Sequence, residues 1–217
     1  MSEDKKGLGW SLKKIKEAFL EKPPAKEDHA SNLIDMSVAL SVAVKKVFLE
    51  KSKTKFSSDP IIVKKPIVAF MGRMRIDAME KFNQTTIMST VHYFKSSAEL
   101  NSGKPRGLII IYLERKFVPE ILRLLQYPYI DADEDSDVFD GTGAIVNLIA
   151  GYFKNELKAL GYKDLEMSHF QSFVNKVPQG LDYPRDQVDR YELSFDLENT
   201  KRLVVEMVMA PIPKKSE

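Results

Sequence analysis

The order of apolar and polar positions divides the chain into helical and β-like stretches. Trp10, Leu12, Ile15, Phe19 and Leu20 recur at near-helical spacing among Lys13, Lys14 and Lys16, which predicts a basic amphipathic helix over 8–22, ended by Pro23 and Pro24. PPAKEDHA reads as a linker. A second helix, capped by Asp28 or Ser31, runs to about Lys53, with Leu33, Ile34, Val38, Val42, Val47, Phe48 and Leu49 favouring one broad face. From Ile61 the pattern turns to β: IIVKKPIVAFMGRM, TTIMSTVHYF and, after the turn signal NSGKPRG, RGLIIIYL predict three strands. ERKFVPEILRLLQY reads as a helix with Pro119 tolerated in its first turn. A long helix follows the acidic run IDADEDSDVFD and reaches about Leu160, with Gly161 as its C-cap. LEMSHFQSFVNKV, RYELSFDL and RLVVEMVMA supply three more strands. This order predicts an α+β fold in which an antiparallel sheet of about six strands carries long helices on one face. Residues 1–27 form a basic extension and linker, 28–211 one domain, and 212–217 a disordered tail.

Composition narrows the function classes. The 217 residues are 43% hydrophobic, enough for one good core or two small ones, and 33 Lys and Arg against 31 Asp and Glu leave a net charge of only +2. That balance gives no general attraction to nucleic acid, and neither zinc-finger spacing nor an RNA-binding aromatic run is present, so nucleic acid is not expected as a partner. The absence of Cys excludes disulfides, thiolate metal sites and a thiol nucleophile, and fits a reducing compartment. No apolar run approaches the roughly 18 residues a spanning helix needs, so the expected location is cytoplasmic. The segment 8–22 has three readings: a helix docked on its own domain or a neighbouring chain, a disordered arm, or a peripheral membrane helix.

The acidic run between Ile130 and Asp140 invites a calcium reading, because Asp131, Asp133, Asp135 and Asp137 match the first ligand positions of an EF-hand. It fails at Ser136, where the loop needs Gly, and at Thr142, where it needs a bidentate Glu. The carboxylates read instead as a solvated loop favouring the following helix N-terminus, and no metal site is expected. GTG at 141–143 lacks the spacing of a nucleotide fingerprint and sits behind negative charge that would repel phosphate. His29 reads as solvent-exposed and His92 as a partly exposed cross-strand residue. Within the long helix, Ile145, Leu148, Ile149, Tyr152 and Leu160 keep a core-facing spacing, whereas Asp140, Ala144, Asn147, Gly151, Lys154 and Lys158 form a second, less apolar stripe. Asn is a poor helix former, costing about 0.5–0.7 kcal/mol relative to Ala, so Asn147 is either a working amide or an ordinary exposed one.

FDGTGAIVNLIAGYFKNEL resembles the helix of the CheX and CheC group of chemotaxis phosphatases, whose pattern is an acidic residue, a Gly, then Glu-x-x-Asn and a small apolar run ending in Gly. GLIIIYLERKFVPEILRLL is similar to that group's strand entering its preceding helix. The resemblance spans about 28–211 in element order and is specific over 107–151. It implies a CheX-like domain in which Asn147 orients a water for in-line attack on the aspartyl phosphate of a response-regulator receiver protein, CheY. The family's Glu grips a Lys of that partner, and here Ala144 stands in its place. A second departure is MSHFQSF, where the family usually shows a Pro near the strand start. The resemblance therefore implies a receiver-binding signalling domain with phosphatase activity weak or lost, its docking stripe being Asp140, Ala144, Asn147, Gly151 and Lys154. Two alternatives stay open: an active receiver-aspartate phosphatase using Asn147, with Asp140 as substitute anchor, and a structural or membrane-proximal adaptor acting through 8–22. No cofactor is implied beyond magnesium on the receiver itself, and a homodimer pairing through edges in the strand-rich C-terminal third is compatible with the family.

Overall fold

Side chains alternate across four central strands, and both resulting faces are buried. The computed structural model describes residues 26–54, 56–197, 200–212 and 214; the segment 8–22 lies outside them. The first helix, α1 (Lys26–Ser52), already occupies residues expected to be linker, because KEDHA contains nothing that breaks a helix after Pro24. The strands are β1 (Ile61–Pro66), β2 (Ala69–Phe70), β3 (Arg73–Met74), β4 (Thr86–Phe94), β5 (Gly107–Glu114), β6 (Glu166–Met167), β7 (Gln171–Val174), β8 (Asp189–Leu197) and β9 (Thr200–Met209). Between them lie the short helices α2 (Met79–Phe82) and α3 (Ser97–Ser102), then α4 (Val118–Leu124) and the long α5 (Asp135–Ala159). The seven-stranded antiparallel sheet has the order β1-β8-β9-β5-β4-β6, with β7 also on β4, and β2 and β3 form a separate hairpin.

Two departures from the sequence pattern have local causes. The first expected strand ends at Pro66, which donates no ladder hydrogen bond, and the remainder folds into the β2–β3 hairpin. The strand expected over 165–177 splits around 168–170. There Ser168 takes over pairing with His92, its Oγ accepting from the His92 amide at 3.0 Å, while Phe170 turns toward α5.

On the first sheet face, Ile87, Val91, Ile109, Ile111, Leu193, Phe195, Val205 and Met207 pack under α1, α4 and α5. Ile212 joins this core, and Lys214 bridges to Tyr162. On the second face, Met88, Leu108, Ile110, Tyr112, Val204 and Val208 pack against Met74, Ile76, Ala78, Val177 and Leu181 from the β3–α2 segment and the β7–β8 loop. The long helices therefore share one face, as the pattern predicts. The C-terminal β8 and β9 are interior strands, however, so the open edge at that end of the sheet is β1, where Ile61, Ile62 and Val63 are exposed.

Candidate functional site

Opposite properties of its two sides fix how α5 sits. Val138, Ile145, Val146, Ile149, Ala150, Phe153 and Leu157 are buried in the first core, against α1 and the sheet. Gly143 lies directly beneath the Phe170 ring, where an added Cβ would collide. Polar ties lock the same side: Ser172 Oγ donates to the Phe139 carbonyl at 2.9 Å and lies 2.6 Å from Ser89 Oγ, and the Tyr93 hydroxyl donates to the Ala150 carbonyl at 3.1 Å. Burial pushes the Tyr93 phenol well above its ordinary pKa, so it stays protonated as that donor.

The outer side carries Asp140, Ala144, Asn147 and Gly151, at steps of three and four that keep them on one stripe about 16 Å long. Asp140 is exposed, and the other three are half-buried. The Asn147 amide makes no hydrogen bond among the described residues. A Cβ built on Gly151 would meet nothing within 4 Å, so the helix is open beside that amide. Asp140 has no ion-pair partner among the described residues. Lys154 and Lys158 continue the stripe but both pair with Asp164, at 3.2 and 2.7 Å. Although burial pushes the Asp164 carboxyl up, hydrogen bonds from Lys158 and Lys154 hold it below its ordinary value. Lys154 thus has an intrachain ion-pair partner.

Upstream, the acidic run is organised by Arg115, whose guanidinium donates to the Ala132 and Asp133 carbonyls at 2.8 and 3.0 Å and pairs with Asp135 at 2.5 Å. Asp131 Oδ1 accepts from the Asp133 amide, and Asp137 Oδ2 from that of Asp131. These carboxylates cap turns and face a helix N-terminus, and no grouping of metal-ligating side chains occurs among the described residues. Sequence reading missed the Arg115 clamp because Arg115 lies a whole helix away from the run it organises.

The histidines lie apart from this stripe. His29 is half-buried rather than exposed: its Nε2 lies 3.0 Å from the Gln187 side-chain oxygen, because α1 starts against the β7–β8 loop. His92 places Nε2 2.9 Å from the Asp182 carbonyl oxygen; burial lowers its pKa, and that hydrogen bond only partly counters the effect.

Comparison with solved structures places this architecture. A CheC-like superfamily protein from Shewanella sp. PV-4 superposes with a TM-score of 0.53 at 15% identity, over 80% of this chain and 96% of that one. FliY from Thermotoga maritima does so with a TM-score of 0.52 at 14% identity, over 79% and 84% of the two chains. The chemotaxis protein CheX from Vibrio vulnificus gives 0.51 at 14% identity, over 78% and 95%. No protein-family model matches the chain, and no curated protein matches it in sequence. The fold is CheX/CheC-like, and the helix bearing Asn147 packs on the sheet as described above.

Proposed function

We propose that the outer stripe of α5 docks a response-regulator receiver domain and that its phosphatase chemistry is weak or lost. The observation that carries this reading is the uncommitted amide of Asn147 on an open helix face, flanked by the small residues Ala144 and Gly151. A carboxamide of this kind can accept from a water and hold it in line with an aspartyl phosphate, where positioning supplies much of the rate. The receiver's own magnesium would neutralise the transferred charge. Ala144 presents only a methyl group where an anchoring carboxylate would grip a lysine of the partner. Asp140, exposed one turn earlier and free of an intrachain ion pair among the described residues, is the available substitute. The CheX/CheC-like fold supports the same reading. The assay is loss of phosphate from a phosphorylated receiver with and without the protein, alongside direct binding. Binding with little or no acceleration is the expected result, strong acceleration abolished by Asn147→Ala assigns an active phosphatase, and the absence of both binding and acceleration refutes the reading.

The exposed edge β1 supports pairing of two copies strand to strand, although Lys64, Lys65 and Pro66 guard its second half. Sedimentation of the native protein against Ile62→Lys tests this, and an unchanged monomer in both rules it out. No helix among the described residues is long and apolar enough to cross a membrane.

A further inference from the structure

On the sheet face opposite α5, the β2–β3 hairpin and the loop 176–180 enclose a groove of about 970 Å³. Its walls hold Val68, Phe70, Met71 and Val177, and its rim carries Arg73, Arg75 and Lys176 against a single acid, Asp77. Phe70 and Met71 are 72% and 85% exposed, so two large apolar side chains stand in water side by side, one at the end of β2 and one in the turn. The groove is preformed. Met74 and Leu181 exchange backbone hydrogen bonds at 2.8 and 2.9 Å, and the Arg73 guanidinium donates to the Gly180 carbonyl at 3.1 Å. The loop comes so close at Gly180 that a Cβ there would lie 2.7 Å from the Met74 carbonyl oxygen.

Met71 is the telling residue. Its φ of 50° and the 76° of Gly72 make the tight hairpin turn that Asn, Asp or Gly normally begins. A methionine there bears left-handed strain while burying almost nothing in this chain. Its flexible thioether is suited instead to covering an apolar partner.

We propose that this groove is a second docking surface, taking an acidic amphipathic segment of a partner protein. Apolar anchors of that segment enter between Phe70, Met71 and Val177, and its carboxylates meet Arg75 and Lys176. Neither Arg75 nor Lys176 has an ion-pair partner among the described residues, so both are available. The charge sign disfavours two other occupants. Residues 8–22 carry Lys13, Lys14, Lys16 and Lys22 against Glu17 and Glu21, so their net positive charge opposes docking here, and so does that of the same face of a second copy. The chain's own acidic run is not free to serve, since Val138 is buried in the first core. The surface is independent of the α5 stripe.

The test is titration of the full chain with two labelled helical peptides that share apolar anchors at i, i+4 and i+7, one flanked by Glu and the other by Lys. The Glu peptide is expected to bind at least about tenfold tighter, with a salt-sensitive preference. Arg75→Glu with Lys176→Glu should invert that preference. Met71→Gly relieves the turn strain, so it should be at least as stable as the native protein yet bind more weakly, which separates lost docking from misfolding. Asn147→Ala should leave this binding unchanged. Equal affinity for both peptides, or no binding of either, overturns the proposal. So does binding only to vesicles of phosphatidylcholine and phosphatidylglycerol, which would mark a membrane surface.

Discussion

Glu192 and Glu206 stand directly opposite each other across β8 and β9, two buried carboxylates of like charge on the second sheet face. Such a pair is destabilising by itself, and its relief comes from α2. The Lys81 ammonium, 5% exposed, bonds Glu192 at 2.5 Å and also bonds Glu206. The Tyr112 hydroxyl donates to Glu206 at 2.6 Å, and Lys65 pairs with Glu192 at 2.8 Å. The cluster ties the covering segment over the second face, next to the hairpin.

Lys81→Met should therefore cost about 3 kcal/mol at neutral pH, because it removes the cation bonded to both carboxylates and leaves Glu192 with Lys65 and Glu206 with Arg190, the latter at 3.3 Å. The pH response should also change. In the native protein burial alone would raise Glu192, but hydrogen bonds from Lys65 and Lys81 hold it down to about 2, below its ordinary 4.5. A depressed carboxylate contributes stability that is present above pH 4.5 and lost as pH falls toward 2. In Lys81→Met protonation relieves repulsion, so the deficit relative to the native protein should shrink on acidification. Urea melts from pH 7 to 3 measure both, and a deficit that stays constant with pH would remove the charge account.

Much of this fold is legible because each face of a long element has one environment. The 3.6-residue period of α5 predicts its core-facing side and the apolar run RGLIIIYL a strand, the long helices share one sheet face as expected, and the Asn147 stripe lies on the outer side its period dictates. What the pattern hid depends on contacts distant in sequence. Glu192 and Glu206 look like solvent-facing positions of alternating strands until Lys81, more than a hundred residues upstream, covers them. The break in the strand over 165–177 is set by Gly143 receiving Phe170, which no local signal in MSHFQSF announces. The β2–β3 hairpin was read as strand because a Met-Gly turn lacks the Asn-Gly or Asp-Gly signature.

Two glycines of α5 should respond oppositely to alanine. Gly151→Ala fills open space on a helix and should raise stability by about 0.5–1 kcal/mol. Gly143→Ala drives a methyl into the Phe170 ring and should lower it by about 1–3 kcal/mol, even though it gains helix propensity. Thermal melts of the two variants are sufficient, and similar shifts would mean that α5 does not pack on Phe170 as described.

His92 gives a separate acid response. Burial lowers its pKa, so the folded chain holds it neutral while the unfolded chain protonates near 6.5. Its contribution is complete above pH 6.5 and declines as pH falls through the folded value. Denaturation between pH 7.5 and 5 should show the native midpoint dropping more steeply than that of His92→Gln. Parallel curves would assign the slope to other groups.

At the α5 stripe, stability and docking should separate. Asn147 has no intrachain hydrogen bond to lose among the described residues, and Ala is the better helix former, so Asn147→Ala should be neutral to about 0.5 kcal/mol more stable. If the amide positions water for a receiver phosphate, the same variant should remove any acceleration of dephosphorylation while leaving receiver binding largely intact. Ala144→Glu restores a carboxylate on the half-exposed position one turn before Asn147, where it can reach a partner lysine. This variant should tighten receiver binding and raise dephosphorylation by at least about tenfold, equivalent to about 1.4 kcal/mol of barrier. The combination Ala144→Glu with Asn147→Ala should keep the tighter binding and lose the rate, since anchoring and water orientation are separate tasks of neighbouring turns. A double variant as fast as Ala144→Glu alone would show that the Asn147 amide does no chemistry.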